Sequence, residues 1–165
     1  MTEDLTDRVA ELAAAVEASL AEDEAVALAT IGINDRAGMK RGTPPPRWVE
    51  DDWGIRSEDR YGILRVKHTW ASERAHIVRN DPARVLRRVK ATRDLVAAIL
   101  AEKHDYIPGD EFHSCSQAVD PYPGESGEPG SGCSDPERAG KPCDCGRDAR
   151  VARLLGIIAS EWETA

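Results

Sequence analysis

The sequence predicts an α+β fold, mainly α: a three-helix core, a small β-hairpin and a long irregular loop that carries every cysteine. Apolar residues recur at spacings of three and four in three separate segments, which is the signature of one buried helix face. Between the first two segments lies a stretch where apolar and polar residues alternate, as in a half-buried strand. Between the last two, residues 105–146 are rich in Gly, Pro and Ser and follow neither period.

The first helix is placed at 3–29. Leu5, Val9, Leu12, Val16 and Leu20 form its apolar stripe, and Thr2 is placed to cap it, with Glu3 and Asp4 favourable at the positive end of the dipole. Gly32, Asn34, Gly38 and Gly42 then break the pattern, and Pro44-Pro45-Pro46 reads as an extended spacer. A hairpin is expected over 47–70. Its strands are 47–55 and 62–70, and Ser57–Arg60 forms the turn. A lone hairpin is marginal in water, and Trp48, Trp53 and Trp70 are its expected packing surface. A short helix is expected over 71–79. Asn80-Asp81-Pro82 then reads as a sharp start for a helix running over 81–103, because Asp81 can cap free N–H groups and Pro82 loses no needed donor. The last helix, 147–162, carries Val151, Leu154, Leu155, Ile158 and Trp162.

At 165 residues the chain is expected to form a single domain with a modest core. It has one Phe and three Tyr, so its four Trp supply much of the aromatic burial. The net charge of -8 excludes a uniformly basic nucleic-acid binder. Charge is segregated, however. Residues 1–29 hold eight acids and one base, whereas residues 60–93 hold ten bases and two acids. The acidic first helix and the basic middle helix are therefore expected to be adjacent and antiparallel. No apolar run approaches a membrane span, and the opening residues lack the basic-then-apolar order of a secretory signal, so a cytoplasmic location without membrane attachment is expected.

All four cysteines lie in the irregular stretch, spaced Cys115-x17-Cys133-x9-Cys143-x-Cys145, with His113 just upstream. These five residues are the candidate metal ligands, and zinc is the candidate cofactor, because thiolates and imidazoles are its usual donors. Two disulfides, or unliganded thiols in a mobile loop, are the alternatives. A reducing compartment weighs against the disulfides. A second candidate surface is the basic face formed by Arg84, Arg87, Arg88 and Lys90. It would serve a partner protein or phosphates, or would simply be a solvated helix face. No aromatics alternate with these bases, as stacking platforms would require. No phosphate-binding Gly loop, nucleophile elbow or His-Glu-x-x-His helix is present, so no catalytic residue is assigned.

The run from His76-Ile77 through Asp81-Pro82-Ala83-Arg84-Val85-Leu86 to Val89, continuing to Ala91, Arg93 and Leu95, resembles a signature of a family of uncharacterised small proteins of actinobacteria and their phages. The likeness extends to Leu20-Ala21-Glu22-Asp23-Glu24, to the Cys-containing insert and to a closing helix that ends near Glu161-Trp162. It implies no activity transferable residue by residue. The resulting expectation is a non-catalytic interaction or regulatory protein with an unknown protein partner, encoded by a phage or mobile element and carrying a structural metal in the insert. The alternative is a nucleic-acid-associated regulator, and a zinc enzyme is a third class requiring an open coordination position.

Overall fold

A computed structural model describes residues 5–31, 39, 44–52, 54–58, 64–66, 70–119 and 128–162. Helix α1 spans Leu5–Thr30, and strands β1, β2 and β3 span Trp48–Asp51, Gly54–Ser57 and Leu64–Val66. Helices α2 (Ala71–Arg79) and α3 (Pro82–Leu100) follow, then strands β4 (Tyr106–Ile107) and β5 (Asp110–Ser114), and finally helix α4 (Arg147–Ala159). The fold is mainly helical α+β. Thr2, Trp53 and His68 lie outside the described residues.

The chain divides into two compact units, residues 1–18 with 94–165, and residues 19–93. In the first, Val9 of α1 packs with Val151 and Leu155 of α4, and Leu12, Ala13, Val96, Ile99 and Ala152 close around them. Val151 and Leu155 are fully buried. This is the apolar stripe that the sequence spacing anticipates, contributed by α1, α3 and α4.

In the second unit, β1, β2 and β3 form an antiparallel sheet in that order. Residues 47–55 are therefore not one strand. The chain reverses at Asp52, with Asp51 paired to Gly54, and Ser57 belongs to β2 rather than to the turn. Gly54 sits at φ 144°, a region open to glycine and closed to side-chain-bearing residues, and this permits the reversal. Ile55 is fully buried in β2. Trp70 does not join a packing surface; it is 79% exposed, and Glu73 accepts a hydrogen bond from its backbone N–H at the start of α2. The α3 cap is as read from the sequence: the Asp81 carboxylate accepts the Arg84 N–H at 2.6 Å. Val89 of α3 is buried, and Arg93 donates to Glu24 of α1 at 2.7 Å, joining the basic helix to the acidic one. No helix among the described residues is long and apolar enough to cross a membrane.

Candidate metal centre

The segment read as wholly irregular opens with a hairpin. Strands β4 and β5 pair antiparallel, Tyr106 opposite Ser114, across a turn at Pro108-Gly109, where Gly109 has φ +86°. The pairing continues one step outward: Cys115 N–H donates to the Asp105 carbonyl at 3.0 Å. The hairpin thus returns Cys115 to the point where the chain leaves α3, next to His104.

Residues 130–144 wrap around a turn at Cys115–Ala118, closed by the Ala118 N–H on the Cys115 carbonyl. Ser116 is buried. Its backbone carbonyl accepts the Gly140 N–H, its hydroxyl donates to the Pro142 carbonyl at 2.7 Å, and its N–H donates to Asp144 at 3.0 Å. Gly130 and Gly132 both donate to the Ala118 carbonyl. A Cβ on Gly130 would lie 2.3 Å from the Gly140 nitrogen and 2.9 Å from the Ser116 oxygen, so only glycine permits this approach. Asp144 also accepts both Nε and Nη2 of Arg138. Burial opposes the Asp144 charge, but the Arg138 hydrogen bond and those from Ser116 and Cys115 hold its carboxyl down at about 2.

These contacts bring Cys143 and Cys145, one residue apart, against Cys115 and His104. The Sγ atoms of Cys115 and Cys143 are 3.9 Å apart, and those of Cys143 and Cys145 are 3.6 Å apart. His104 Nδ1 lies 3.6 Å from Cys115 Sγ and 3.8 Å from Cys145 Sγ. All four donor atoms fall within 4.8 Å of one another. A tetrahedron with Zn–S bonds of about 2.3 Å and a Zn–N bond of about 2.0 Å has S···S edges of about 3.8 Å and S···N edges of about 3.5 Å. The four measured edges lie close to those values. The sulfurs are far beyond disulfide bonding distance, and all four cysteines are free.

The surroundings suit a metal. Cys115 and Cys145 are buried, while Cys143 and His104 are half-buried. Gln117 N–H points at Cys115 Sγ from 3.4 Å. Burial raises the Cys115 thiol, but this N–H, with those of Asp144 and Cys145, more than reverses the effect and leaves it below the usual thiol range. Cys143 goes the other way: burial, together with neighbouring Cys145, Asp148 and Cys115, pushes it up to about 12 without a metal. A cation is what would allow all three sulfurs to be thiolates at once.

His104 presents Nδ1 to the sulfurs, and its Nε2 lies 3.8 Å from the buried Asp148 carboxylate. That is an ion-pair distance, longer than a hydrogen bond, and it follows the carboxylate–histidine–metal arrangement that orients ligating imidazoles. Burial lowers the His104 pKa further than Asp148 raises it, which favours the neutral ring a metal needs. Arg147 donates to Asp148 at 2.8 Å, to the Glu102 carbonyl at 2.9 Å and to the Leu100 carbonyl at 2.6 Å. It thereby satisfies carbonyls left open at the end of α3 and ties that end to the start of α4. Gly146, at φ +80°, makes the turn from Cys145 into α4.

Of the five ligand candidates read from the sequence, the structure assembles Cys115, Cys143 and Cys145 and leaves out two. His113 is exposed on β5. Cys133 directs its thiol at the Asp135 and Ser114 carbonyls, 3.4 and 3.8 Å away. His104 takes the fourth place. The basic-face residues Arg84, Arg87, Arg88 and Lys90 are all exposed on α3.

The model for a family of unknown function, DUF6221, matches residues 9–122, and the chain belongs to that family. The matched segment contains His104 and Cys115 and stops short of Cys143 and Cys145. No curated protein and no solved structure matches the chain.

Proposed function

We propose that the protein is a non-catalytic interaction module whose residues 100–148 are locked by one structural zinc ion held by His104, Cys115, Cys143 and Cys145. The observation that carries this reading is the gathering of one imidazole nitrogen and three sulfurs within 4.8 Å, with four of the six edges close to those of a zinc tetrahedron. Three thiolates and an imidazole suit zinc better than calcium or magnesium, which take oxygen donors. Four protein ligands fill a tetrahedron, and a catalytic zinc needs a position left open for water or substrate. That argues for a structural role and against a zinc enzyme. The site organises a segment that buries few apolar side chains among its described residues, and the surface thus fixed is offered to a partner protein.

The test is native mass spectrometry of protein purified without added metal, with and without chelator. One zinc per chain, lost in His104→Ala and Cys143→Ser but retained in Cys133→Ser and His113→Ala, supports the assignment. Less than about one-tenth equivalent of bound metal, with all four thiols freely titratable, overturns it.

A further inference from the structure

The second unit carries a cavity that the metal centre does not use. It has a volume of about 580 Å³ and lies between β1, α2 and the first turns of α3. Four arginines line it, Arg47, Arg79, Arg84 and Arg87, together with the half-buried Trp48 and the apolar Ala75 and Val78. Two carboxylates also face it, and both are engaged. Glu50 pairs with Arg74 at 3.4 Å, and Asp81 caps α3. Arg47 lies 3.9 Å from Glu58, a loose and exposed pair. Among the described residues, the guanidinium groups of Arg79, Arg84 and Arg87 have no partner. In a chain of net charge -8, this is a local concentration of uncompensated positive charge.

We infer that this cavity binds a small nucleoside phosphate. Guanidinium groups match phosphate oxygens in paired hydrogen bonds, and three arginines without a guanidinium partner among the described residues line one hollow. Trp48 also lines the hollow, and an indole is an aromatic group of the kind bases stack on. The volume falls in the range of small-molecule sites, about 300–1,000 Å³. This inference goes beyond the metal reading and uses none of its residues.

Isothermal titration of the 165-residue protein as purified tests it, with ADP, adenosine, inorganic phosphate, a short single-stranded oligonucleotide and a poly-glutamate peptide as probes. ADP should bind more tightly than each of the others and more weakly as salt rises. The exposed double variant Arg84→Gln/Arg87→Gln should weaken ADP roughly tenfold or more with an unchanged melting temperature. Trp48→Phe should weaken ADP while leaving inorganic phosphate unaffected. Absence of ADP binding, ADP binding that the arginine variant leaves intact, or tighter binding of the peptide or oligonucleotide overturns the proposal.

Discussion

Two clusters in the first unit hold the chain by different means. Around Val9, Val151 and Leu155, helices press apolar side chains together, and the stabilisation follows the area removed from water. Around Cys115 and Cys145, among the described residues, the packed neighbours are Ala118 and Cys143, a small apolar surface for a loop this long. The chain is held there by backbone and side-chain hydrogen bonds, notably at Ser116 and Asp144, and four candidate donor atoms gather within 4.8 Å of one another. The first arrangement tolerates gradual change. The second depends on specific atoms, so the two should fail differently.

The largest expected effect is on the thiol cluster. Structural zinc sites contribute about 10 kcal/mol or more of apparent binding free energy near neutral pH. Chelation, or Cys143→Ser, should therefore abolish amide-exchange protection across 115–118 and 140–146. Protection of α1 and of the second half of α4 should survive. Equal loss everywhere would mean that the two clusters form one cooperative block.

Leu155→Ala addresses the other side. It removes a fully buried side chain and should cost about 2–5 kcal/mol in denaturant unfolding. Zinc stoichiometry under native conditions should stay at one, and loss of metal in this variant would erase the contrast.

Asp148→Asn comes next. The loss of charge beside His104 Nε2 should weaken zinc about 10–100-fold in competition with a chromophoric chelator, with the fold retained. An unchanged affinity would show that Arg147 alone positions this corner.

The smallest and sharpest test uses acid. Metal binding needs thiolates, and Cys143 in the metal-free protein is held up at about 12, so each falling pH unit should favour release. Asp144 has a depressed pKa of about 2. Its stabilising contacts are thus fully present above about pH 4 and are lost as pH falls toward 2. Metal should leave before the Asp144–Arg138 clamp opens. Simultaneous loss of zinc and of local exchange protection at the low end would contradict that order.

The helical cluster could be read from the sequence because burial there is periodic. α2 begins and ends where expected, α3 starts at the Asp81 cap, and Val9, Val151 and Leu155 sit on the stripes that spacing assigns. Three of the four candidate ligands are visible in the sequence as cysteines. His104 was not, because its relation to Cys115 depends on a hairpin whose first strand is two residues long, too short to show alternation. Pro108-Gly109 was the available clue: a turn there folds 104–107 back on 110–115. Cys133 looked equivalent to its neighbours, and nothing in its local sequence reveals that its thiol faces carbonyl groups. The sheet was misread for a related reason. A reversal at Asp52, followed by glycine at positive φ, hides within what looks like one apolar-polar run.

The ligands divide two and two along the chain, His104 with Cys115 and Cys143 with Cys145, with 27 residues separating the pairs. With zinc bound as proposed, a single backbone break in that interval would leave each fragment holding two of the four ligands. The metal would then act as a rivet across the cut, and the pieces would come apart at this corner only when the ion is withdrawn.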